Sequence, residues 1–421
     1  MLSSIDNSGA RRTAQLMVHD GSNWVPAGAN PHPEIVWPSA FTEGHYLGEG
    51  TVWQRDVSKM PLAENSEVMA AWMWDNLVDP WGNKGYLGDF SQSPRLKAAI
   101  PGTGLNISNH PGSTSPIAMY LVDSSVPSCP MVDMKCVSGF PAMPDWERRA
   151  IEKNVPFPSF AHPGVKGDQG MAIYDVATGV LREFFMVNKQ PDGTWTGTIG
   201  YSTATPGLRS LAEDNYGTQL RSGSSAVARM HNNLGFIGIS EVRAGVINHA
   251  LAFTFGAVAH GNPPSWPASG SDGKSPESEK SKSPTHGQWG RVKSSVDPMH
   301  NPRTGRPYNP LTRMLIVAAQ KYGLVGTDTN SWVHAFNVED GSMEQAFFGQ
   351  DPWVDPKGLR LHIAQEHKVP PELSLDVSDF PWDQTEWAPV DWGRPDVDFV
   401  SGVADANNWR RDRALEGKIS Q

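Results

Sequence analysis

LRSGSSAVARMHNNLGFIGISEVRAGVINHALAFTF, residues 220–255, decides how this chain is read. A loop of small residues, Ser222-Gly223-Ser224-Ser225, leads into an apolar turn and then a short charged segment from Ser240 to Gly245. The stretch ends in an alternating run. Ile247, His249, Leu251, Phe253 and Phe255 share one side, and Asn248, Ala250, Ala252 and Thr254 share the other. A period of two marks a half-buried β-strand with its bulky side toward a core. His249 then stands at the start of the core-facing row. The stretch reads as the centre of a large β-domain, and it contains no reaction-bearing motif.

Strand signals continue on both sides of it. Residues 116–123, PIAMYLVD, read as a strand. Met171–Val176, the turn Ala177-Thr178-Gly179 and Val180–Val187 form a hairpin pattern, followed by a strand over Thr194–Tyr201. Gly290–Val296 and the pieces after Leu324 suggest closing strands. Two helices are expected. One covers residues 64–79, with Asn65 or Ser66 as N-cap and Pro80 as its stop. The other covers Asn309–Gly323, where Asn309 caps, Pro310 suits the first position and Gly323 ends it. Its stripe is Leu311, Met314, Leu315, Ala318 and Tyr322.

Composition supports this class. Among 421 residues there are 35 Pro, 41 Gly and 16 Trp, and only 19% are charged. Pro and Gly interrupt the chain too often for long helices. The expected fold is mainly β: a central β-sandwich, jelly-roll-like, with one or two short helices and irregular, aromatic-rich arms. An N-terminal arm spans 1–60, the central domain 61–349 and an extended C-terminal arm 350–421. Residues 261–288 are rich in Ser, Pro, Gly and mixed charge, so a long exposed loop is expected there.

The net charge of −10 and the lack of a basic run argue against nucleic acid. No run of 18 apolar residues predicts membrane insertion, and the N-terminus shows no apolar signal region. Cys129 and Cys136 are too few for a zinc knuckle. They are open to a disulfide or to two reduced thiols.

The block from Gly170 to Phe336 carries a resemblance. Its pieces are DQGMAIYDVATGVLREFF, Trp195, the 220–255 stretch and NPLTRMLIVAAQKYGLVGTDTNSW. In this order they resemble a β-sandwich domain of secreted actinobacterial proteins. Similar blocks occur in minor tail proteins of phages infecting actinobacteria. The resemblance implies a minor tail protein: a structural virion component of the tail, made in the host cytoplasm. Its implied partners are other tail proteins, copies of itself and a host cell-wall glycan. It says nothing of the arms. Trp24, Trp37, Trp53, Trp382, Trp387 and Trp392 are candidate anchors to neighbouring subunits, because Trp supplies large contact area.

No catalytic motif, metal spacing or cofactor fingerprint stands in the sequence. The His residues lack H-x-H, H-x3-H or H-E-x-x-H spacing. Ser222–Ser225 is not a nucleophile elbow, and reads as a hydroxyl-capped loop. Glu241, Arg243 and His249 are the most enzyme-like set. Sharing one cleft, they would suit a polysaccharide lyase or hydrolase, with a tyrosine such as Tyr201 or Tyr216 as acid. As a plain surface salt bridge they would do nothing chemical. His249 alone reads first as a packed, hydrogen-bonded core histidine. Trp195 and Trp289, with Trp266 and Trp332, are candidate sugar platforms for a non-catalytic carbohydrate-binding protein. Core burial is their other reading.

Overall fold

The computed structural model describes residues 2–5, 11–14, 17–19, 24–26, 32–36, 52–76, 104–107, 117–136, 152–165, 169–178, 180–197, 199–202, 226–228, 230–256, 258–259, 261–268, 270–273, 275–329 and 334–394. The chain is mainly β, with many strands in mixed sheets and six α-helical segments among these residues. The strands that position the site are β1 (Leu105–Asn106), β2 (Ile117–Val122), β3 (Gly170–Asp175), β4 (Val180–Phe185), β5 (Ile199–Ser202), β6 (Leu251–Phe255), β7 (Trp289–Val292), β8 (Leu324–Thr329), β9 (Ala335–Asn337) and β10 (Thr385–Trp387). The helices are α1 (Ser66–Asp75), α2 (Ile239–Ala244), α3 (Pro310–Lys321), α4 (Ser342–Phe348) and α5 (Leu359–His367), followed by a single turn at Pro371–Ser374.

The two largest sheets have the orders β5-β4-β3-β2 and β10-β7-β8-β6-β9-β1. The expected hairpin is β3–β4, antiparallel with Met171 opposite Phe184 and Asp175 opposite Val180. Both sheets are mixed: β2 runs parallel to β3, β6 to β8 and β9 to β1.

Strand alternation explains the layers. On the four-stranded sheet, Ile117, Met119, Leu121, Ala172, Tyr174 and Leu181 face a cluster that also contains Ala252, Trp289 and Val325 of the six-stranded sheet. The two sheets therefore pack face to face. The opposite set, Ala118, Tyr120, Val122, Met171, Ile173 and Phe184, packs with Phe157, Ala161 and Met343. The far face of the six-stranded sheet presents Leu251, Phe253, Phe255 and Leu324 to Leu311, Leu315 and Ala318 of α3. Helix α3 lies within the expected bounds, with Pro310 in its first turn, although no side chain caps it. Asn309 instead gives its side-chain amide to Asp376 O at 3.1 Å.

Several expectations are corrected. The Ser240–Gly245 segment is helical as α2, ended by Gly245 at φ +74°, so the strand begins at Leu251 rather than Ile247. In place of one strand over 194–201 the described residues form two, Trp195–Gly197 and Ile199–Ser202. Trp195–Gly197 pairs with Asn188–Lys189 and Met134–Cys136, while β5 joins β4.

Residues 261–288 are not an exposed loop in their described part. Ser265, Ser283, Thr285, His286 and Gln288 are buried. The segment is fastened by polar bonds instead of an apolar face: Thr285 Oγ1 donates to Pro263 O at 2.8 Å, and Asn262 reaches Ser283 O at 3.3 Å.

Residues 351–394 are not an extended arm either. β10 is the edge of the six-stranded sheet, and Trp353, Trp382 and Trp387 are core residues. Trp53, Trp382 and Trp387 therefore cannot anchor a neighbouring subunit. Trp53 is fully buried between the sheets, and Trp382 stacks on Phe336 with ring centroids 5.4 Å apart. Trp392 is half-buried over the Arg55 guanidinium, 4.6 Å from its ring centre. For Trp24 only the backbone is described, in a strand paired with Met17–His19. Trp37 lies outside the described residues.

Candidate functional site

The Glu241, Arg243, His249 set is split by α2. Glu241 sits in its first turn and accepts the Gly238 N–H at 2.9 Å. The same Oε2 lies 3.0 Å from His249 Nε2, while His249 Nδ1 lies 2.8 Å from Ala250 O. Both ring nitrogens thus face acceptors, an arrangement that favours the doubly protonated ring. Burial pulls the His249 pKa down, but the Glu241 charge and hydrogen bonds outweigh it, and the net shift is upward. This is a buried ion pair that fastens α2 to the approach of β6. Arg243 points elsewhere and binds Glu344 of α4 with two bonds, at 2.6 and 2.7 Å. The three side chains do not share a cleft, and every charged group among them is engaged within the fold.

The tryptophan platforms separate likewise. Trp289 is in the core, 5.2 Å from the Arg55 guanidinium. Trp266 faces the same guanidinium at 5.0 Å. With Trp392, these rings cage a side chain of this chain, and burial lowers the Arg55 pKa to about 10. Trp195 is half-buried against Phe157, with centroids 4.5 Å apart. Tyr201 pairs across the sheet with Glu183 through its backbone. Tyr216 and Trp332 lie outside the described residues. Cys129 is a free thiol, raised to about 11 chiefly by burial.

The structure draws attention to a different group, between the sheets. Leu181 of β4 faces the inter-sheet cluster, so alternation turns Glu183 the same way and Arg182 the other way. Glu183 is fully buried, and its Oε1 lies 3.6 Å from Nδ1 of His231, which is also fully buried. His231 opens a tight helical turn, Asn232–Gly235. The turn is closed by Leu234 N–H to His231 O at 3.1 Å and held down by Met230, Leu234 and Phe236 in the cluster. Gly235 permits the close approach, because a β-carbon there would lie 2.3 Å from Trp53 and 2.8 Å from Ala252 of β6.

His231, Asn232 and Asn233 are all 0% exposed. Among the described residues, neither ring nitrogen of His231 and neither polar atom of the two carboxamides has a hydrogen-bond partner. Buried polar groups are almost always paired, and each one left unpaired costs about 1–3 kcal/mol. Three consecutive residues with this deficit form the site candidate. Polar residues also line the neighbouring part of the six-stranded sheet. Asn106 of β1 donates to Thr254 Oγ1 at 3.0 Å and to Asn337 Oδ1 at 2.8 Å. Among the described residues no His/Cys/Asp/Glu cluster suits a metal ion.

Nothing in the spacing of MHNNLG marks these residues as functional. The available signal was in β4, where Arg182-Glu183 interrupts an apolar strand between Leu181 and Phe184. A charged residue on the inward row of a strand needs a buried partner.

An open groove of about 630 Å³ also runs along the outer side of α3, lined by Val246, Met299, Arg313, Met314, Val317 and Lys321. It contains none of the expected site residues. No protein-family model matches the chain, and neither a curated protein nor a solved structure was found to be significantly similar to it. No helix among the described residues is long and apolar enough to cross a membrane.

Proposed function

We propose that this chain binds a neutral glycan at the His231–Asn233 turn and serves as a minor tail protein of a phage virion, where that binding would contribute to host attachment. One observation carries the binding reading: three successive, fully buried polar side chains with no hydrogen-bond partner among the described residues. Each carboxamide offers donors and an acceptor, and a neutral imidazole offers one of each. Vicinal hydroxyls of a sugar present the matching set. Glu183 beside the turn, 3.6 Å from His231, adds a carboxylate there and so disfavours an anionic ligand.

The tail placement rests on the resemblance of Gly170–Phe336 and on the aromatic segments that lie outside the described residues. Other tail proteins and copies of this chain are the proposed partners. The facing sheets are read as a sandwich. The parallel pairs in these sheets depart from the antiparallel order of a jelly roll.

Calorimetric titration with neutral cell-wall oligosaccharides tests the binding. Micromolar to millimolar affinity is expected, with at least a tenfold loss in His231→Ala and Asn233→Ala. Absence of binding across such a panel, or binding unchanged in both variants, would refute it.

A further inference from the structure

A second polar chain joins the two halves of the fold at another place. Asp340 and Ser342 follow β9, at the start of α4. The Ser342 N–H and hydroxyl both reach Asp340 Oδ1. The Ser342 hydroxyl also lies 3.1 Å from His162 Nε2. His162 Nδ1 lies 2.8 Å from Pro163 O. Tyr120 of β2 fixes the backbone there, donating to His162 O at 2.9 Å and accepting His162 N–H at 3.1 Å. Asp340 is buried, Ser342 is 3% exposed, and His162 is half-exposed. The chain therefore runs from a buried carboxyl to a ring that solvent reaches.

Proton counting decides its behaviour. The Ser342 hydroxyl also meets Tyr120, whose own proton goes to His162 O, so the one Ser342 proton is shared between Asp340 and His162. If that proton goes to Asp340, His162 Nε2 must carry its own proton, and with Nδ1–H facing Pro163 O the ring is cationic. If it goes to a neutral His162, the Asp340 contact survives only when Asp340 is itself protonated. Both closed arrangements hold one proton more than the state with ionised Asp340 and neutral His162. In that state one link must open. Both ring nitrogens are committed in the closed chain, so His162 is not poised to act on a ligand.

We propose that Asp340, Ser342 and His162 form a proton-operated latch, which ties the first turn of α4 to residues 157–163 when one proton is bound and loosens when it leaves. Phe157 and Ala161 belong to the cluster on the outer face of the four-stranded sheet, and Met343 of α4 inserts into the same cluster. The latch thus governs how firmly the chain leaving the six-stranded sheet docks on the other sheet. Other ionisable groups face it. The Asp351 carboxyl packs on Gly341, Tyr120 approaches from β2, and the His32–Glu34 pair, 3.6 Å apart, lies beyond Phe160 and Phe347. Asp351 adds negative charge, which favours the proton-bound form. Burial likewise raises the Asp340 carboxyl above its ordinary range.

Residue-resolved amide hydrogen exchange on the full chain tests this, read at Ser342 and Gln345 and corrected for intrinsic chemistry. From about pH 5 to about pH 8 the opening equilibrium should rise at least tenfold, since one proton is released on opening. Ser342→Ala should abolish that rise. Should it fold poorly, His162→Gln at the half-exposed end serves the same purpose. Equal opening at both pH values in the parent, or the same rise in the variants, would overturn the latch.

Discussion

Replacing His334 by Gln should remove a defined part of the acid sensitivity of this protein. His334 accepts the Gly256 N–H at Nδ1, 2.8 Å away, and its Nε2 donates to Met73 O at 2.9 Å. It thereby joins the end of β6 to α1 as a neutral ring of fixed tautomer. Phe253, Phe255 and Trp382 surround it. Burial lowers its pKa from 6.5 to about 3. The unfolded chain therefore takes up a proton below 6.5 that the folded chain refuses until about 3. Stability is lost as pH falls through that window, and each pH unit costs about 1.4 kcal/mol from this group. At pH 4.5 the loss is about 2.7 kcal/mol relative to neutral pH, and it approaches about 5 kcal/mol at the lower limit. Gln cannot titrate, yet it offers an acceptor and a donor. Urea unfolding of the parent and His334→Gln at pH 7.5, 6 and 4.5 gives the comparison. The difference between them should shift by about 2–3 kcal/mol in favour of the variant on acidification. A difference that stays constant with pH would refute the neutral, buried assignment.

Other variants address the remaining polar anchors. Arg55→Ala removes a guanidinium that touches three indole rings and donates to Trp392 O at 3.1 Å. A loss of roughly 2–4 kcal/mol in unfolding free energy is expected, together with faster proteolysis near Trp392. Glu241→Gln leaves His249 without its counter-charge and should cost about 3–5 kcal/mol at neutral pH. Since the folded His249 pKa is raised, the parent's advantage should be full below pH 6.5 and shrink as pH rises through the raised value.

Periodic elements were legible in the sequence, and irregular ones were not. The β3–β4 hairpin and α3 show clear alternation, a turn and terminal signals, and they lie within a residue or two of expectation. Helix α2 is too short to show a period. Its signals were the glycines at 238 and 245 with Glu241 between them. Residues 351–394 also lack a period, because Trp353, Trp382 and Trp387 enter the core from short turns rather than from one helix face. Segment 261–288 has the composition of an exposed loop, but side-chain-to-backbone bonds order it. At the site, the one available signal was the Arg182-Glu183 pair inside an apolar strand, and the structure shows Glu183 on the inward row. That His231 lies beside it depends on the packing of β4 against the Asn232–Gly235 turn, which no local pattern encodes.

The polar groups of that turn are assigned to a ligand rather than to the fold. Unfolding free energies of Asn232→Leu and Asn233→Leu separate the two roles, since Leu has the same branched skeleton without polar atoms. If the carboxamides are unpaired in the free protein, each variant should be more stable than the parent, by about 1–3 kcal/mol. Destabilisation of that size in both would mean that the carboxamides hold the fold together, and would contradict the claim.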